Sequence, residues 1–185
     1  VLIVGIDPGV SGGIAALDER CHLKFKTAMP VMTVEKQSKT KAGNKRKGTE
    51  YRAELIAQII KQLNPDRVFI EKQQAMPKQG AVSMFTLGTG YGLLRGICVG
   101  LGVSTHLVRP TVWQKDILNA ARGDTKNKSI LFCTTTWPSL DFRENDRCRV
   151  DHDGICDAVC IAEYGRRLMN GSLPTELEGS EDEVN

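Results

Sequence analysis

The stretch LIVGIDPGVSGGIAAL, residues 2–17, constrains the fold of this chain more than any other. Residues 1–6 are almost wholly apolar and largely β-branched, which suits a strand buried on both faces. Pro8 and Gly9 stop that strand, and residues 12–17 run apolar again, so the stretch predicts a hairpin. Asp7 stands where the first strand ends. A carboxylate at the end of a buried strand is costly unless a partner meets it. Taken alone, Asp7-Pro8-Gly9 is most simply a turn whose Asp bonds its own backbone. The rest of the chain argues for more.

Leu23 to Ala28 predicts a third short strand, and three strands joined by tight turns predict an antiparallel start. Residues 35–52 carry Lys36, Lys39, Lys41, Lys45, Arg46, Lys47 and Arg52 with Gly43 and Gly48 among them, and read as a flexible basic loop. Leu55, Ile56, Ile59, Ile60 and Leu63 have helical spacing, with Thr49 expected as the N-cap and Asn64-Pro65 as the stop. Arg67 to Ile70 is a short buried strand that delivers a second carboxylate, Glu71, at its end. A polar segment, 73–80, leads to a helix over about 81–100 with glycines at 88, 92, 96 and 100. Each helical glycine costs about 1 kcal/mol against Ala, so something should approach that stripe closely. Packing on the sheet is the plainest expectation; a second subunit or a nucleic-acid backbone are the others.

A strand at 103–108, a helix at 112–121 and another at 127–136 follow, then an irregular polar stretch to Arg149. The last helix is expected over 155–169, with Asp157 in its first turn beside the apolar stripe. The order of elements predicts one α/β domain over 1–170, a mixed sheet flanked by helices. Residues 171–185 read as an acidic, disordered tail. Asp7, Glu71 and Asp157 would then converge at one edge of the sheet. An all-oxygen donor set is what Mg²⁺ requires, with Mn²⁺ an acceptable substitute. Ions of that kind activate water and steady the leaving oxygen of a phosphodiester.

Charge supports a polyanionic partner. The net charge is +3, but five of the 22 acids lie in the last ten residues, and without them 25 basic residues face 17 acidic ones, a net +8. Six cysteines show neither a paired framework nor zinc-ligand spacing, which suits a reducing compartment; Cys98, Cys156 and Cys160 are expected to be small buried hydrophobes. No apolar run is expected to reach the roughly 20 residues that span a bilayer. The chain opens inside its first strand without an initiator Met, so any targeting peptide is expected to lie ahead of Val1.

Ile6-Asp7-Pro8-Gly9, Ile70-Glu71 and the helix around Cys156-Asp157-Ala158 together resemble the acidic motifs of RuvC-type Holliday junction resolvases. Residues 71–80, followed by the Leu87-Gly88 helix, look like that family's junction-contacting loop and dimer-forming helix. The His152-Asp153-Gly154 run and the basic segment look closest to its plant chloroplast branch. The resemblance spans most of residues 1–170. It implies an RNase H-like fold and a Mg²⁺-dependent homodimer that cuts two symmetric strands of four-way junction DNA in the chloroplast.

The family's extra ligand usually stands three residues before the last Asp, and here that residue is Gly154. Asp151, His152 and Asp153 are the candidates for its place. Asp153 suits an N-cap, Asp151 would point away in an extended segment, and His152 is expected to join Asp7, Glu71 and Asp157 as metal ligand or proton carrier. Lys45, Arg46, Lys47, Arg109, Lys115, Lys126 and Lys128 are expected to track phosphates. Lys72, Gln73, Gln74, Met76 and Lys78, directly after Glu71, should reach the junction centre. The competing readings are an RNase H-like nuclease acting on RNA and an actin-type ATP-binding protein. The latter needs a second nucleotide-binding half, which 185 residues do not hold.

Overall fold

The computed structural model describes residues 1–39, 43, 45–74, 80–118 and 127–173, with the side chains of 36–39 and 46 excepted. Among the described residues are seven strands and five helices. The strands are β1 (Leu2–Asp7), β2 (Gly13–Asp18), β3 (Leu23–Ala28), β4 (Val31–Lys39), β5 (Lys45–Tyr51), β6 (Arg67–Glu71) and β7 (Thr105–Val108). The helices are α1 (Ala53–Leu63), α2 (Ala81–Gly100), α3 (Pro110–Leu118), α4 (Lys128–Thr136) and α5 (Asp153–Met169).

Five strands form one sheet in the order β3-β2-β1-β6-β7. The β1–β2 and β2–β3 pairs are antiparallel, as the two tight turns require; β1–β6 and β6–β7 are parallel. Strand alternation sorts the side chains into two cores. Ile3, Ala15 and Phe69 face α5, where Ile155, Val159 and Tyr164 complete one apolar layer. Val4, Ile6, Ile14, Val68 and Ile70 face the other way, onto Ile56 and Ile60 of α1 and Leu94 and Cys98 of α2. Helix α5 can lie directly on β1 because Gly5 has no side chain: a Cβ there would run into the Ala158 carbonyl and the Ala162 amide.

Several expectations need correction. The basic segment is a two-stranded ribbon, β4–β5, and not a flexible loop. Its β-forming pairs, Val31 with Tyr51 and Thr33 with Thr49, were masked in the sequence by the charges between them. A lone hairpin is marginal in water, but this one is rooted through Val31 and Tyr51 in the α1–α2 core. Pairing continues to Tyr51, so Thr49 belongs to β5, and Arg52 takes the N-cap position of α1 with no side-chain cap. Helix α3 begins earlier than expected, at Pro110, where proline's missing N–H costs nothing.

Helix α2 has the expected limits, but its glycine stripe does not pack on the sheet. Gly88, Gly92, Gly96 and Gly100 meet nothing within 4 Å of where a Cβ would stand. The inward face is instead Gly90, Leu94 and Cys98. By length and a mean hydropathy of 1.2, α2 also meets the measure of a membrane span, which the sequence reading did not foresee. Its inner face is nonetheless built into the α1–α2 core. All six cysteines are free, with Cys98, Cys133, Cys156 and Cys160 buried. The acidic tail from residue 174 onward lies outside the described residues.

Candidate active site

Strand parity and register bring the carboxylates together. Ile3 faces α5, so Gly5 and Asp7 do too; Phe69 faces α5, so Glu71 does as well. In the parallel β1–β6 pair Ile6 stands beside Ile70, which places Asp7 and Glu71 at adjacent strand ends. Asp157 approaches from α5 itself. The N-terminus of that helix rests on the β1–β2 turn, where a Cβ on Gly154 would run into the Ser11 carbonyl and Gly12. The close approach explains why position 154 carries no ligand side chain.

Each acid is held by a neutral donor. The Gly9 amide donates to Asp7 Oδ1 at 3.2 Å. Glu71 accepts from Trp113 Nε1 at 2.8 Å and from the Gln73 amide at 3.0 Å. The Ser129 hydroxyl bonds Asp157. These donors offset only part of the cost of crowding like charges out of water. Burial, then the neighbouring charge of Glu71, pushes Asp7 up to about 7. Glu71 is raised by burial and by Asp157, and Asp157 by burial and by Asp153. Carboxylates that raise one another's pKa and meet neutral donors are suited to a hard divalent cation. The set is open as it stands: among the described residues no three His, Cys, Asp or Glu side chains converge on one ligating point.

The capping role expected of Asp153 falls to His152. His152 is the N-cap of α5, and its Nδ1 accepts from the Ile155 amide at 3.2 Å. A neutral imidazole that accepts at Nδ1 carries its proton on Nε2 and has no lone pair left for a cation. Asp153 is not the cap. It opens the helix with its side chain 73% exposed, and its charge raises both Asp7 and Asp157. Asp157 accordingly lies in the second turn of α5 and not the first.

A cleft of about 1060 Å³ opens beside Asp157, and Thr111, Gln114, Lys115, Lys128 and Asp153 line it. Lys115 and Lys128 therefore share the cleft with Asp157, and Arg109 is exposed just ahead of α3. Lys45 and Lys47 sit on the ribbon, where Lys45 makes an exposed 2.9 Å ion pair with Glu35. Gln73 is tied to Glu71, so its amide is engaged with the acid cluster. Lys72 is half-buried and Gln74 is exposed. Met76, Lys78 and Lys126 lie outside the described residues, as does the side chain of Arg46.

Three residues of the site escaped the sequence reading. Trp113 and Ser129 sit in unremarkable helical patterns, and only tertiary structure shows which acids they meet. Tyr51 donates its hydroxyl to the Pro8 carbonyl at 2.8 Å, and its phenol is pushed up to about 12 by burial and then by Asp7.

No protein-family model and no curated protein matches the sequence. Solved structures do. RuvC of Thermus thermophilus aligns with a TM-score of 0.55 at 16% identity, covering 92% of this chain and 97% of that one. The same protein in complex with a Holliday junction substrate aligns at 0.56 and 14% identity, covering 93% and 98%. This chain shares the fold of RuvC. The yeast mitochondrial Holliday junction resolvase Ydc2 aligns at 0.52 and 14% identity, covering 89% of this chain and 77% of Ydc2. The mixed five-stranded sheet flanked by helices is thus the RNase H-like arrangement the acidic motifs implied.

Proposed function

We propose that this protein is a nuclease that resolves four-way DNA junctions, working as a homodimer with Mg²⁺ or Mn²⁺. The observation that carries the reading is the placement of Asp7 and Glu71 at adjacent strand ends, with Asp157 near enough to raise both, on a fold shared with RuvC and Ydc2. The finer reading places it in the plant chloroplast branch, on the strength of the His152-Asp153-Gly154 run and the basic segment that forms the ribbon.

Asp7, Glu71 and Asp157 would hold the cations, with Asp153 at the cleft mouth as the fourth carboxylate. Bound there, such ions supply an activated water and neutralise charge on the leaving oxygen. The chain's own groups do the rest. Trp113 and Gln73 fix both oxygens of Glu71, and Ser129 fixes Asp157. Lys115 and Lys128 line the cleft and attract a phosphate backbone into it. The exposed face of α2 is the surface on which a second copy would sit, giving one centre for each of the two equivalent strands of a junction.

The direct test offers a labelled four-way junction, a linear duplex and an RNA hairpin, each with and without Mg²⁺. Paired cuts in the junction alone, and only with Mg²⁺, are expected. Cutting confined to the RNA would overturn the reading in favour of an RNA-processing nuclease.

The fourth ligand is separable from the cap. His152→Ala should cost about 1 kcal/mol of stability, as other lost caps do, and keep most of the cleavage rate. Asp153→Asn should leave the melting temperature nearly unchanged and slow cleavage at least about tenfold. The opposite pairing would restore His152 to the ligand role that the sequence suggested.

A further inference from the structure

Tyr51 stands where three parts of the molecule meet. It is the last residue of β5, paired with Val31 across the basic ribbon. Its ring lies against α2 at Gly90, where a Cβ would run into the ring. Its hydroxyl donates to the Pro8 carbonyl at 2.8 Å, in the turn that begins with Asp7. That turn is closed by two further bonds, Gly12 N–H to the Gly9 carbonyl at 2.9 Å and Gly9 N–H to Asp7 Oδ1 at 3.2 Å. The phenol therefore anchors the peptide next to Asp7, while its ring is held by the ribbon and by the helix that carries the exposed glycine stripe.

We propose that Tyr51 is a positioning residue: it fixes the Asp7 turn in its cation-binding geometry and ties that geometry to the placement of the ribbon and α2. The inference rests on the reading of Asp7, Glu71 and Asp157 as cation ligands. Groups that orient metal ligands commonly change metal affinity or activity by about 10–100-fold when removed. A Phe at position 51 keeps the ring against Gly90 and in the core, and deletes only the bond to Pro8.

The test compares Tyr51→Phe with the wild type in two measurements. Calorimetric titration of the protein alone with Mn²⁺ should show affinity about tenfold weaker in the variant. Single-turnover cleavage of a four-way junction should be slowed by a similar factor, while the junction Kd, read in Ca²⁺ or EDTA, stays within twofold. A loss of folding alone would weaken junction binding and rate together, and that result overturns the proposal. So does equal Mn²⁺ affinity in the two proteins, absence of binding included. If the wild type cuts no junction yet binds Mn²⁺ more tightly than the variant, the function proposed above falls and the positioning role stands.

Discussion

Asp7→Asn should raise the melting temperature of the metal-free protein and abolish cleavage in the same stroke. Asp7 is buried beside Glu71, and its carboxyl is pushed up to about 7 from 3.8. A folded-state pKa above the unfolded one means that the native protein binds the proton more tightly. The stability from this group is full below about pH 4 and is lost as pH rises through about 7. Three units at 1.36 kcal/mol each set an upper bound of about 4 kcal/mol on that loss. Asparagine keeps an oxygen for the Gly9 amide and carries no charge to repel Glu71. A gain of about 2 kcal/mol at pH 8, some 4–8 °C for a chain of this size, is expected in the absence of divalent ions. At pH 4 the two proteins should melt together. With Mg²⁺ the wild type should recover much of the difference and the variant little. Scanning calorimetry at the two pH values, with and without Mg²⁺, reads all of this. A variant that is no more stable than the wild type at pH 8, or that still cuts, would remove Asp7 from the cation site.

The acids were legible in the sequence because each sits at a place where burial and charge conflict: the ends of two β-rich runs and the apolar side of a helix. Strand parity does the rest, since a period of two fixes which face Asp7 and Glu71 share. The ribbon was less legible because six basic residues between 31 and 51 dominate its composition, while its pairing depends on Val31, Thr33, Thr49 and Tyr51 meeting across the two strands. The start of α5 was misjudged for a different reason. Any of three successive polar residues could cap it, and the outcome depends on Gly154 lying flat against Ser11 and Gly12, a contact between segments 142 residues apart. Once that glycine is inside the helix, His152 is the residue three before the Ile155 amide, and Asp153 is turned toward solvent.

Replacing Gly92 and Gly96 together by Ala should split the proposed homodimer into monomers even though each monomer becomes more stable. Within one chain a Cβ at either position meets open space. Alanine gains about 1 kcal/mol over glycine at each helical site, so the isolated chain has nothing to lose. The stripe is nevertheless glycine at four positions in one row, and Val82, Phe85 and Val99 on the same helix are 70%, 77% and 71% exposed. Glycines that cost stability and meet nothing, on a helix that also exposes large apolar side chains, fit a surface that a second copy covers. An i±4 row packing on its own counterpart lets two helix backbones approach closely at a crossing angle near −50°. Two methyl groups per helix on that row would push the backbones apart. Sedimentation should therefore show the wild type at twice the chain mass and the double variant at one chain mass at micromolar concentration. The variant's melting temperature at low concentration should match or exceed that of the wild type. On a four-way junction the variant should nick one strand at a time, where the proposed dimer would cut both within one binding event. A variant that sediments as a dimer and resolves junctions at the wild-type rate would move the subunit contact off α2.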